Sequence, residues 1–428
     1  MKAWVISADM GYGHQRAAYP LRDLAYERII TANSDKIISE DEQKQWDRFE
    51  TMYESLSRWR SLPIIGPFLW HLYDRLQKIA PIYPFRDLSQ PGFGTWYLRH
   101  LIRKGFAKSV LDYTRKKDLP IVSTFFAPAV AGAYHGIKDV YCVVTDSDIN
   151  RVWVPYNHRQ KITYLTPTKE ASLRLQEYGV PRNHIVYTGF PLPEELLGPR
   201  LHVLKKNLGM RLAILDPHKR FISRYKETVS SRLGNYIKLR PNRPLTITFA
   251  IGGAGAQKEQ VAQYLHSFSN RIRQEKLRVY LVAGTHLDVT RYFRTVLHSL
   301  HLESALGKQI FILTDLDKKD YFEHFNYILH TTDILWTKPS ELSFYMALGI
   351  PLLLAPALGA HEVLNARWVT NRGGGIHQEN PIYAEEWLMH WVHNGAFAEA
   401  AFNGFLKAPK YGTQNIRKVL MGKNSLRY

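Results

Sequence analysis

The residues of this 428-residue chain best suited to chemistry lie in turns that follow short apolar runs. The first run, 3–7, leads into Asp9-Met10-Gly11-Tyr12-Gly13-His14-Gln15-Arg16. Glycines at a strand-to-helix turn, here Gly11 and Gly13, let a ligand approach the backbone, and the start of a helix offers N–H donors to an anion or a reacting oxygen. His14 then falls at the carboxyl edge of a sheet, where α/β folds bind their ligands. An imidazole that titrates near neutrality can take a proton from a hydroxyl there; a purely structural histidine is the alternative. Pro20 falls where the helix should already be running and is expected to bend or delay it.

A second, acidic turn, Val144-Thr145-Asp146-Ser147-Asp148-Ile149-Asn150, follows the run through Val140. A carboxylate such as Asp146 at a strand end orients an imidazole or accepts a proton itself, whereas helix capping is the routine use of aspartate. In the second half, the run ending at Ile251 enters Gly252-Gly253-Ala254-Gly255, a geometry that presents backbone amides to a diphosphate. Further on, Thr337-Lys338-Pro339-Ser340-Glu341 reads as a turn before a helix. Lys338 suits a phosphate and Glu341 suits ribose hydroxyls, while capping by Ser340 or Glu341 fits equally well. His361-Glu362-Val363-Leu364-Asn365 opens another helix at the same sheet edge.

Positioning such turns takes strands that are buried on both faces. Apolar runs at 3–7, 120–123, 140–145, 184–188, 245–251, 279–283, 309–313, 334–337 and 350–355 alternate with helical patterns, which predicts parallel sheets in a doubly wound α/β architecture. A basic segment with no clear strand separates two such series. The expected organisation is a first domain at 1–200, a basic linker at 201–243, a second domain at 244–390 and a helical tail at 391–428. An insertion at about 34–117, dense in aromatic and basic residues, interrupts the first series. Within it, 62–73 is apolar but too short for a membrane span, so an interfacial element and ordinary core packing are both open.

With 45% hydrophobic and 22% charged residues the chain has enough apolar content to fold, which excludes wholesale disorder. Its single cysteine, Cys142, excludes an intrachain disulfide framework and any cysteine-clustered metal site, in keeping with a reducing cytoplasm. Strand-like residues begin at Ala3, and no stretch approaches the roughly 18 apolar residues of a membrane span, so a chain neither secreted by a signal peptide nor integral to a membrane is expected. The net charge of +19 is localised. Residues 58–117 hold 12 Lys/Arg against 3 Asp/Glu, and residues 201–243 hold 11 against 2. Such windows suggest an anionic partner, with solubility alone as the alternative. Nucleic acid is the weaker reading because neither window contains a recognition module.

Taken in order, Gly11-Tyr12-Gly13-His14, Pro120-Ile121-Val122-Ser123-Thr124, Val144-Thr145-Asp146, Gly179-Val180-Pro181 with Thr188-Gly189-Phe190-Pro191, the Gly252 to Gly255 turn, Thr337-Lys338-Pro339 and Asn365 form a series. It resembles the monogalactosyldiacylglycerol synthase and processive diacylglycerol glucosyltransferase group of glycosyltransferase family 28. The resemblance implies a GT-B fold, two Rossmann-like doubly wound domains facing an interdomain cleft. It implies an inverting, metal-independent transfer of a hexose from a UDP-sugar to a lipid acceptor at the cytoplasmic face of a membrane, with no cofactor besides the donor substrate. Mapped by motif, His14 and Asp146 take the catalytic positions, and Gly11, Gly13 and Asn150 lie on the acceptor side. Gly252, Gly253, Gly255, Lys338, Ser340, Glu341, His361, Glu362 and Asn365 lie on the donor side. Phe344 stands where the family usually carries its ribose-binding glutamate, so either Glu341 substitutes from the preceding turn or nucleoside recognition is altered or lost. A UDP-sugar epimerase of the same architecture and a non-catalytic nucleotide-sugar-binding homologue are the alternative outcomes.

Overall fold

The computed structural model describes residues 1–58, 79–157, 161–238, 240–250, 260–357 and 359–422. Its strands are β1 (Trp4–Ser7), β2 (Ile30–Thr31), β3 (Ile121–Ser123), β4 (Val140–Val143), β5 (Thr163–Thr166), β6 (Ile185–Tyr187), β7 (Leu245–Ala250), β8 (Leu277–Gly284), β9 (Ile310–Thr314), β10 (Ile334–Thr337), β11 (Leu352–Leu354) and β12 (Gly375–His377). All nine apolar runs contain a strand. The three that the sequence reading did not find, β2, β5 and β12, lack such a run: β2 is two residues, β5 is Thr-Tyr-Leu-Thr and β12 is Gly-Ile-His. Pairing with a neighbour, not local pattern, makes them strands.

The strands form two six-stranded parallel sheets, ordered β2-β1-β3-β4-β5-β6 and β12-β11-β10-β7-β8-β9. This is the expected doubly wound α/β architecture, once in each of two compact units. In the first sheet the chain leaves β1 toward β2 on one side and reaches β3 on the other. In the second it leaves β7 toward β8 and later returns to β10 on β7's opposite side. Those reversals are the topological switch points at which open α/β sheets bind ligands, beyond the carboxyl ends of the strands.

The units divide the chain differently from the sequence expectation. The first comprises Met1–Leu192, Leu358–Asn365 and Pro409–Tyr428, and the second comprises Pro193–Ala357 and Ala366–Ala408. The segment 201–243 is therefore no linker. Its helix His202–Leu215 buries Leu204, Leu208, Arg211 and Leu212 within the second unit. The fully buried Arg211 guanidinium donates to the carbonyls of Thr332 (2.8 Å) and Gly349 (2.9 Å), with longer contacts to those of Leu348 (3.2 Å) and Leu329 (3.4 Å). Gly209 lets the backbone of Tyr236 approach, because a Cβ there would lie 1.8 Å from its carbonyl oxygen. A further residue of this basic stretch, Arg243, is paired with the fully buried Asp333 at 2.6 Å. Nor is 391–428 a separate tail. The helix Gly412–Leu420 places Ile416, Val419 and Leu420 in a core with Ala3, Val5, Val122 and Leu165 of the first unit.

Part of the aromatic insertion packs into the core, and part of it is exposed. Trp46 is fully buried, its ring 4.1 Å from that of Phe106, and Leu98 and Ile102 line the inner face of the helix Phe93–Arg103. By contrast Tyr83, Phe85, Phe93 and Trp96 are more than half exposed. Residues 62–73, singled out as a candidate interfacial element, lie outside the described residues.

Candidate functional site

The chain passes from β1 into the helix Tyr12–Ala18 through Gly11, whose φ of 88° and ψ of 170° suit glycine and strain any other residue. Pro20 neither delays nor bends this helix. The helix stops at Ala18 and the chain tightens into a 3₁₀ turn, Tyr19–Leu21, that takes Pro20 in its first positions. Gly13 and His14 lie within the helix. The half-buried His14 ring places Nδ1 2.7 Å from the carbonyl oxygen of Thr124, directly after β3, and 3.3 Å from Oγ1 of Thr145, after β4. A carbonyl can only accept, so Nδ1 carries the proton and Nε2 is the ring's proton-accepting nitrogen. Thr124 closes the arrangement by donating its hydroxyl to the His14 carbonyl at 2.8 Å. Phe125 packs edge-on to the imidazole with centroids 4.7 Å apart. The segments that follow three neighbouring strands, β1, β3 and β4, thus bring together an imidazole, the carbonyl that sets its tautomer and a flanking hydroxyl, at the β1/β3 switch point.

The acidic turn divides its carboxylates by role. Asp148 is buried and bound by both oxygens to the Arg174 guanidinium, at 2.9 and 3.0 Å. Arg174 also donates to Glu177 at 2.6 Å and to the carbonyl of Ala80. Burial raises the Asp148 pKa and Arg174 opposes that rise. Asp148 is therefore committed to Arg174, whereas the partly buried Asp146 beside it makes no such ion pair among the described residues. Asn150 spends its side-chain oxygen on the amide of Val152, capping the turn Arg151–Trp153.

The donor-side residues do not fall in one unit. Lys338, Ser340 and Glu341 follow β10 in the second unit, at the β7/β10 switch point. Ser340 stands at the N-cap of the 3₁₀ helix Glu341–Leu348 without a side-chain capping bond, and that entire helix is buried. Phe344 is part of that core and packs edge-to-face on Trp368, with centroids 5.1 Å apart, so its ring is a packing element. Gly252, Gly253 and Gly255 lie outside the described residues. His361, Glu362 and Asn365 belong to the first unit, not to the donor half in which the motif order placed them. Asn365 is fully buried; its Oδ1 accepts the Ser147 amide at 2.8 Å and its Nδ2 donates to Asp146 at 3.0 Å.

On the outer face of the insertion, a groove of about 560 Å³ runs between the helices Glu40–Arg58 and Phe93–Arg103 and is lined by Lys44, Arg48, His100 and Lys104, with Asp41 and Tyr97. The sequence motifs contain Thr124 and Thr145 but gave them no part in the site, and Arg174 stood in none of them. The two threonines meet His14 because the ends of β3 and β4 converge there, and Arg174 meets Asp148 from the helix Lys169–Glu177. Among the described residues no helix is long and apolar enough to cross a membrane.

A family described as Domain of unknown function (DUF6938) matches residues 226–392. The chain is 22% identical over 386 residues to a processive diacylglycerol beta-glucosyltransferase of Bacillus cytotoxicus, covering 88% of this chain and 81% of that protein. Among solved structures it is similar to an S. aureus MnaA–UDP co-structure, at 12% identity and a TM-score of 0.49, covering 100% of this chain and 97% of that one. It is similar also to UDP-GlcNAc 2-epimerase from Neisseria meningitidis bound to UDP-GlcNAc, at 13% identity and a TM-score of 0.49, covering 99% of this chain and 100% of that one.

Proposed function

We propose that this protein is an inverting glycosyltransferase that moves a hexose from a UDP-sugar to the hydroxyl of a diacylglycerol-like lipid at the cytoplasmic face of a membrane. The observation that carries the reading is the His14 ring, its Nδ1 proton held by the Thr124 carbonyl. Similarity to the Bacillus cytotoxicus glucosyltransferase supports the transfer. The exposed Phe93 and Trp96, with basic residues on the same helix, support a lipid surface as the place of reaction.

In this mechanism the acceptor oxygen attacks the sugar's anomeric carbon as its proton passes to His14 Nε2. The bond from that carbon to the diphosphate breaks, UDP leaves with the electron pair, and a single displacement inverts the centre. Asp146 orients the acceptor or shares the proton. Lys338 and the amides of the Gly252 to Gly255 turn neutralise the departing diphosphate, a stabilisation that needs no metal. Glu341 takes the ribose hydroxyls in place of the residue at Phe344.

The test is UDP release by the full chain with UDP-glucose or UDP-galactose and diacylglycerol in anionic vesicles. His14→Ala should reduce kcat by about 10²- to 10⁴-fold, the usual contribution of a general base, while the first unit stays folded as read by its amide hydrogen exchange. Undiminished turnover would remove His14 from the reaction. Conversion of a UDP-sugar to its epimer without any acceptor would replace the proposal with epimerase chemistry.

A further inference from the structure

The motif order assigns Asn365 to the donor, but the structure gives its side chain other partners. Both ends of the amide are used within the first unit, and the residue is completely buried. A backbone N–H can only donate, so the contact with Ser147 fixes which end of the amide is the oxygen. The amide nitrogen must then face Asp146 Oδ1, and it donates a hydrogen bond of 3.0 Å. One side chain therefore holds the backbone on one side of the turn and the carboxylate on the other. We infer that Asn365 is a positioning residue that aims the Asp146 carboxylate, holding Oδ1 so that Oδ2 is presented to a reactant; this rests on the catalytic reading of Asp146 proposed above.

The geometry makes the interaction reversible in sense. Asn365→Asp keeps an acceptor for the Ser147 amide but sets two carboxylates against each other at the distance of the lost hydrogen bond. Adding Asp146→Asn restores a donor–acceptor pair with its polarity exchanged. An effect confined to stability should be repaired by the exchange, whereas catalysis that needs a carboxylate at position 146 should not be.

The experiment compares wild type, Asn365→Ala, Asn365→Asp, Asp146→Asn and the double exchange in the full chain, by urea unfolding at pH 7.5 read from amide hydrogen exchange of first-unit peptides and by steady-state kinetics with a UDP-sugar and diacylglycerol vesicles. Asn365→Asp should lower the first unit's urea midpoint by about 0.5–1.5 M, and the double exchange should recover most of that loss. Asn365→Ala should lower kcat at least 10-fold while KM for the UDP-sugar stays within about 3-fold, and the double exchange should remain as inactive as Asp146→Asn. A raised KM with unchanged kcat in Asn365→Ala would overturn the inference in favour of a donor contact. Failure of the exchange to recover stability would overturn it independently of activity. Absence of turnover in the wild type with every UDP-sugar would strike the proposed function instead, leaving the first unit's urea midpoints to decide whether Asn365 holds Asp146.

Discussion

Replacing Arg211 by methionine tests whether the basic segment 201–243 is a structural part of the second unit. The two short bonds, to Thr332 and Gly349, join a charged donor to buried carbonyls and contribute about 1.5–3 kcal/mol each. Burial opposes this. It pulls the guanidinium pKa down to about 10, a shift that at ~1.36 kcal/mol per pH unit means that the interior disfavours the charge by about 3 kcal/mol. The longer contacts to Leu348 and Leu329 add less. Methionine fills the space but leaves those carbonyls without a donor, so the net loss should be about 1–4 kcal/mol. Because the chain has two units, a single melting temperature mixes their transitions. The measurement is therefore amide hydrogen exchange, resolved by peptide, in low urea. Protection should fall in β7, β10 and the helix His202–Leu215, and should hold in β1, β3 and β4. If the second unit's protection is unchanged or raised, or if both units lose equally, the staple assigned to Arg211 is wrong.

Two other substitutions probe the units separately. Arg174→Met strands the buried carboxylates of Asp148 and Glu177 and should cost the first unit about 3–5 kcal/mol, read as a lower urea midpoint for that unit; a loss below ~1 kcal/mol would show the cluster to be dispensable. In the second unit, burial holds His330 below its ordinary pKa, and the Asn207 amide lies 2.9 Å from its Nδ1, an arrangement suited to a neutral ring. The unfolded chain thus takes up a proton that the folded chain resists. This stability is fully present above about pH 6.5 and is lost as pH falls below that value toward the folded one. His330→Gln should flatten the dependence of the second unit's urea midpoint between pH 7.5 and 5.5, and an identical slope in the variant would refute the assignment.

Parallel strands covered on both faces are rich in apolar residues, so nine of the twelve stood out in the sequence, including the edge strands β6 and β9 that are only partly buried. His14 and Asp146 were legible for the same reason, because each follows a recognisable strand at a predictable distance. Other features depend on partners far away in the chain. The β5 segment Thr163–Thr166 is a strand because β4 and β6 flank it. Arg211 looked like surface charge until the carbonyls 118 to 138 residues away closed around it. The division of labour between two aspartates separated by one residue was undecidable locally. Arg174, 26 residues on, takes Asp148, and Asn365, 219 residues from Asp146, donates to that carboxylate. Local pattern records which face of an element is buried, whereas the pairing of polar groups across the fold is set by which strand ends the topology brings together.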